Sequence, residues 1–293
     1  MLPPTVEEVV TDILEDHTSG ANRIARKGLK GLSLLLDAST GTVDRDVMRA
    51  AVRRISDAQK TNAALYNVCH LFAQLADEGQ EPKAILKQLA SELETARDRV
   101  ARNFLKIAPD RGTVVTLTFS DNVLACLRLA HERGNLERVY VLESRPMNEG
   151  RFLVVALTEA GIRATLAPDP MGASLVGSSD YILVGADSVL RDASVVNKVG
   201  TYGLALAAAD RGKPVYVACE TLKFDARFDA ASWPGSPEMP AREVWENPPE
   251  KIDVANRYFE VTPGRLVTRV ATERGSFEPQ TVRTMMAKAK SQM

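Results

Sequence analysis

The chain has 293 residues, 45% of them hydrophobic and 26% charged, with a formal net charge of −1. This is the composition of a soluble globular protein with one large or two smaller domains, and it gives no electrostatic argument for direct nucleic-acid binding. No run of about 18 apolar residues is present, so no membrane span is expected, and Glu7, Glu8, Asp12 and Glu15 break the apolar core that a secretory leader needs.

Val6, Val9, Val10, Ile13 and Leu14 recur at helical spacing, and Ile24, Leu29, Leu32, Leu35 and Leu36 continue the pattern over 20–37. Segments 44–58 and 61–77 follow between polar breaks. Pro82 suits the first turn of a longer helix running to about Lys106, with Glu92, Glu94, Arg97, Asp98 and Arg99 on a solvated face. These segments predict an N-terminal helical domain over 1–109, a small bundle or cap. From Gly112 the pattern alternates. Strands are predicted at 113–118, 138–142, 163–167, 181–184 and 214–218, with helices at 123–133, 152–160 and 199–210. The β-α-β-α order implies a parallel, helix-covered sheet over 110–293. Residues 225–249 carry Pro234, Pro237, Pro240, Pro248 and Pro249 and read as a long irregular loop. A last strand over 266–271 and a last helix over 280–290 complete the α/β reading.

Ligands of open α/β sheets sit beyond the carboxyl ends of the strands. Those ends carry Ser120, Asp121 and Asn122; then Glu143, Ser144 and Arg145; then Asp169; then Gly185, Ala186 and Asp187; then Glu220 and Lys223. Arg145 has the planar fork that grips a phosphate, or it forms a plain strand-end ion pair with Glu143. Asp187, behind two small residues that let a ligand approach, is either a proton-transfer carboxylate or a helix N-cap or turn residue. Asn197 and Lys198 precede an apolar helix whose free N–H groups suit an anion, or serve ordinary capping. Segment 18–23, including Thr18, Ser19, Gly20 and Ala21, offers the same two readings at the start of an earlier helix.

The usual nucleotide and hydrolase motifs are absent: neither G-x-G-x-x-G, nor a Walker-type phosphate loop, nor G-x-S-x-G occurs. His17, His70 and His131 are scattered over predicted helices or their ends and read as surface or capping residues. Cys69, Cys126 and Cys219 are an odd, widely spaced set without a C-x-x-C pair. They predict reduced thiols in a cytoplasmic protein and no structural zinc site; no metal site and no cofactor are expected. Cys69 and Cys126 read as packing residues, and Cys219 either as a core thiol or as one facing the cleft.

Four segments together carry a more specific signal: Glu143-Ser144-Arg145-Pro146, Gly185-Ala186-Asp187, Val196 to Tyr202, and Cys219-Glu220-Thr221-Leu222-Lys223-Phe224. With Asn256 to Pro263 they resemble, in order and spacing, the superfamily of the regulatory subunits of translation initiation factor 2B. That superfamily also holds methylthioribose-1-phosphate isomerase and archaeal ribose-1,5-bisphosphate isomerase. The resemblance implies a Rossmann-like C-terminal domain, a ligand lying between the domains, and homodimers or higher homo-oligomers made mainly through the C-terminal domain. By the same resemblance Ser19, Gly20 and Ala21 match a phosphate loop, with serine where the isomerases have arginine. Glu143 lies in the first of the matching motifs, Arg145, Asn197 and Lys198 match sugar-phosphate contacts, and Lys223 matches a lysine near the second phosphate. Asp187 matches the acid–base aspartate. Ser120 stands at the position of the isomerases' catalytic cysteine, and Asp192-Ala193 where they resemble Asn-Gly. A thiol exchanges a proton near neutral pH and an alkyl hydroxyl does not.

Two functions follow from the resemblance. One is aldose–ketose isomerisation of a pentose phosphate or bisphosphate, with Asp187 and Ser120 as the catalytic pair. The other is a non-catalytic subunit that senses a sugar phosphate or nucleotide and engages an initiation-factor partner.

Overall fold

The apolar stripes of the first third form helices α1 (Pro4–Glu15), α2 (Ala21–Asp37), α3 (Arg45–Ser56), α4 (Ala63–Asp77) and α5 (Pro82–Leu105). The computed structural model describes residues 2–16, 19–39 and 43–290, so His17 and Thr18 lie outside the described residues. Local chemistry starts two of these helices. The Asp44 carboxylate accepts from the N–H groups of Asp46 and Val47, and the Asn62 side chain accepts from that of Leu65. The stripes bury Ile13, Leu32, Ile55, Leu65 and Phe72 in one core. Gly28 lets α2 approach α4, since a methyl there would lie 2.6 Å from Leu65 Cδ1.

The chain divides into two compact units, Met1–Ala96 with Leu222–Asp225, and Arg97–Thr221 with Ala226–Met293. The division falls within α5. The second unit begins with β1 (Gly112–Leu117), α6 (Asp121–Glu132), β2 (Leu136–Leu142), α7 (Glu149–Glu159) and β3 (Ala164–Ala167). After the short helix α8 (Gly172–Gly177) come β4 (Tyr181–Val184), β5 (Ser188–Leu190), β6 (Val195–Lys198), α9 (Thr201–Asp210) and β7 (Val215–Ala218). The two-residue strand β8 (Phe224–Asp225) belongs to the helical unit. Strands β9 (Phe259–Thr262), β10 (Arg269–Thr272) and β11 (Gly275–Phe277) and helix α10 (Pro279–Lys290) close the chain.

The fold is α/β, with a helical N-terminal part followed by a Rossmann-like sheet. That sheet has the order β11-β10-β7-β4-β1-β2-β3. Every neighbouring pair is parallel except β10 with β11, which run antiparallel. Residues 181–184 are buried throughout, as befits a strand covered on both faces. A second, smaller sheet was not expected: β6 pairs antiparallel with both β5 and β9. Strands β5, β6 and β9 are three or four residues long and carry buried polar side chains, so they lack the apolar run that marked the large sheet. The predicted helix over 199–210 starts at Thr201, because Gly200 takes the N-cap position with a φ of 102°. Among the described residues no helix is long and apolar enough to cross a membrane.

Candidate active site

Three strand ends of the large sheet are tied together by side chains. Thr118, just past β1, has φ 55°, and its N–H donates to Ser144 Oγ at 2.6 Å. Ser144, past β2, has φ 62°. The Asp169 carboxylate beyond β3 accepts from the N–H groups of Ser144 and Arg145, each at 2.7 Å. Left-handed backbone at two non-glycine residues costs roughly 1–3 kcal/mol each and is held only where the surroundings over-determine it. Arg145 is exposed, and its guanidinium donates to Val244 O at 2.7 Å. The strand-end ion pair weighed for Glu143 forms with Arg151 instead, at 3.3 Å. Arg145 therefore has no ion pair among the described residues.

Ser120 caps α6, its Oγ accepting from Val123 N at 3.4 Å. The neighbouring Asn122 side chain donates to Glu220 Oε2 at 3.0 Å in a buried pair. Gly185, beyond β4, fits closely against this corner: a methyl there would sit 2.7 Å from Ser120 Oγ and 4.0 Å from Asn197 Oδ1. The chain thus gathers Ser120, Gly185 and Asn197 from three different elements. Asp187 follows two residues later, half-buried, and its N–H donates to Val196 O at 2.9 Å. It sits at a bend leading into β5 rather than a helix, so the N-cap alternative for Asp187 does not apply and the turn reading stands beside the proton-transfer one.

The β6–α9 corner has an internal solution to its own charge. Asn197 donates to Thr201 Oγ1 at 2.9 Å. The Lys198 side chain is 4% exposed, and its ammonium lies 2.9 Å from Glu149 Oε2 and 4.4 Å from the Tyr258 ring centre. Glu149 Oε2 also accepts from Thr118 Oγ1 at 3.0 Å. The N–H groups of Gly200 and Tyr202, at the start of α9, both donate to Glu260 Oε1 at 2.8 Å. The anion anticipated at this helix start is therefore a carboxylate of the chain itself. Tyr258 donates to Glu243 Oε2 at 2.7 Å, and its pKa is raised by desolvation first, then by that bond and by the charges of Glu243 and Glu149.

The remaining candidates belong to the helical unit. Ser19 is half-buried and its N–H donates to Asp16 Oδ1 at 2.8 Å, while Gly20 is exposed and Ala21 is buried at the start of α2. Lys223 is buried between Leu222 and Phe224, whose carbonyls both accept from the Asn67 amide at 2.8 Å. Cys69, Cys126 and Cys219 are all buried, which decides Cys219 in favour of a core thiol. Burial pushes the Cys69 thiol up to about 12, far from nucleophilic service at neutral pH. His70 stacks on Tyr66 at 4.0 Å between ring centres. No group of three or more His, Cys, Asp or Glu among the described residues is arranged to hold a metal.

Residues 17–279 match the model of the initiation factor 2 subunit family. The chain belongs to that family. Ribose 1,5-bisphosphate isomerase of Haloferax volcanii is 30% identical over 304 residues, covering 97% of this chain and 92% of its own. Methylthioribose-1-phosphate isomerase of Gemmatimonas aurantiaca is 30% identical over 294 residues, covering 94% and 85%. Among solved structures, translation initiation factor eIF-2B of Pyrococcus horikoshii superposes with a TM-score of 0.83 at 26% identity, covering 96% of this chain and 99% of its own. This initiation factor 2 family member is thus similar along nearly its whole length to proteins named as enzymes and to proteins named as factors.

Three residues of the corner escaped sequence reasoning: Thr118, Glu149 and Glu260. Glu149 opens a helix and Glu260 sits in a short strand, positions where a carboxylate is unremarkable. Their partners are at least 31 and 58 residues away, so no local pattern marks them.

Proposed function

We propose that the chain binds a phosphorylated pentose and interconverts its aldose and ketose forms, with Asp187 as the acid–base group and Ser120 orienting a hydroxyl beside it. The observation that carries this reading is the gathering of Ser120 and Asn197 around Gly185, two residues before Asp187, at the carboxyl ends of the sheet. The names of the relatives supply the substrate class. Arg145, exposed and without an ion pair among the described residues, serves as the phosphate grip. Asn197 and Lys198 serve the sugar, and Ser19, Gly20, Ala21, Glu143 and Lys223 are the further ligand contacts carried over from the family likeness. Substrate and product contain the same atoms, so the reaction moves a proton or hydride between neighbouring carbons and consumes no oxidant or reductant overall.

The test is conversion followed by NMR, with ribose 1,5-bisphosphate and methylthioribose 1-phosphate as substrates. Asp187→Asn is expected to lower turnover by about 10²–10⁴-fold, the usual worth of a positioned acid–base group. An Asp187→Asn protein with full activity sinks that role.

A second reading is favoured by Ser120, a hydroxyl where the isomerases have a thiol. Here the same corner senses a sugar phosphate or nucleotide, and the chain acts as an initiation-factor-like subunit in the cytoplasm. Stabilisation by ligand without conversion would select it. Either reading suits a homo-oligomer. Phe152 and Val155 on α7, Leu166 on the edge strand β3, and Met171 are all exposed, which supports a self-associating face on this side of the sheet.

A further inference from the structure

We propose that Glu149 is a specificity-determining residue: it neutralises Lys198 and so reserves the β6–α9 corner for the uncharged part of a ligand. The inference rests on the sugar-phosphate reading above and says which end of the ligand goes where.

Two elements of this corner would ordinarily attract a phosphate. One is the Lys198 ammonium, and the other is the N-terminus of α9. Both are already matched with carboxylates. Lys198 lies 2.9 Å from Glu149 Oε2 in a setting where its side chain is 4% exposed, and Gly200 and Tyr202 donate to Glu260. Glu243 adds a third carboxylate, bonded to the Tyr258 hydroxyl whose ring flanks Lys198. The Tyr258 pKa is raised first by desolvation, then by the Glu243 bond and by the charges of Glu243 and Glu149, so both carboxylates lie close enough to act on it. A phosphate entering here would meet three carboxylates against one ammonium. A hydroxyl or carbonyl oxygen would not, because Lys198 has three N–H donors and one bond to Glu149 leaves others for a neutral acceptor. Arg145 offers the contrast: its guanidinium bonds a carbonyl oxygen, and no ion pair engages it among the described residues.

Glu149 acts through Lys198 and Thr118, so the test needs a readout that loss of packing would not mimic. The probe is inorganic phosphate, followed as the gain in Tm over chloride at equal ionic strength. The proteins are the parent chain, Lys198→Met, Glu149→Gln and the double variant. Parent and Lys198→Met are expected to gain equally from phosphate. Glu149→Gln is expected to bind phosphate about tenfold more tightly, the effect of one newly available charge-assisted contact, and the double variant is expected to lose that increment.

A smaller phosphate gain in Lys198→Met than in the parent overturns the proposal, since Lys198 would then already serve an anion. So does a Glu149→Gln protein that folds and shows no increment. Should Glu149→Gln fail to fold, the comparison of parent with Lys198→Met still decides. A parent that ignores phosphate while Glu149→Gln responds would support the role of Glu149 and count against the sugar-phosphate reading itself.

Discussion

The two sheets of the second unit are built to opposite specifications. The large sheet buries apolar strands such as Tyr181–Val184, with few buried polar side chains such as Thr116 and Thr272 in its strands, and carries its candidate site groups past the strand ends. The small sheet buries polar side chains within its strands, among them Ser188, Asn197, Lys198 and Thr262. Burying such groups is costly unless they find partners; here Glu149 pairs with Lys198 and Asn197 donates to Thr201, whereas Thr262 Oγ1 has no hydrogen-bond partner among the described residues. The contrast teaches that the large sheet is a frame, and that the small sheet holds chemistry the frame alone could not present.

The sharpest way to break that contrast is at the frame. A methyl at Gly150 would lie 2.0 Å from Leu142 O, a backbone atom that cannot step aside. Gly150→Ala is expected to cost roughly 3 kcal/mol, at the upper end for overpacking, read as a lower urea midpoint. A cost below about 1 kcal/mol would show that the β2–α7 junction yields to the added methyl.

The small sheet should be less sensitive. Glu260→Ala removes a carboxylate that satisfies two N–H groups at the start of α9. It is expected to cost about 2 kcal/mol, the scale of charged hydrogen bonds and helix capping, and to raise amide exchange in the first turn of α9. Unchanged exchange there would mean that water replaces the carboxylate without loss.

The smallest effect is expected at the β5–β6 turn. Ala193 has φ 62° and is fully buried. Ala193→Gly relieves roughly 1 kcal/mol of left-handed strain but removes a buried methyl worth about 0.8 kcal/mol. Stability should stay within about 0.5 kcal/mol of the parent by urea unfolding, because the two terms oppose each other. A gain well beyond that would show that alanine in place of glycine holds this turn under net strain.

Much of the frame was open to sequence reading because its signals are local. Apolar periodicity marked the helices from α1 to α5, and β-branched runs bounded by turns marked β1, β2, β4 and β7. The strand-end rule then pointed to Ser120, Gly185 and Asp187, and the structure does gather Ser120 and Asn197 around Gly185. The small sheet was missed because three- and four-residue strands with buried polar groups carry no periodic signal. For the same reason the anion reading of Lys198 could not be separated from ordinary capping: nothing near it in sequence announces Glu149.

By itself the sequence determined the helix-then-α/β order, the parallel sheet and the family, since each depends on residue types at short or fixed spacing. Only the tertiary structure decided which charges are matched. Lys198 with Glu149, the α9 N–H groups with Glu260, and Glu143 with Arg151 rather than Arg145 are pairings made when strand ends and helix starts converge. Electrostatic partnership depends on distance in space, and separation along the chain does not set that distance.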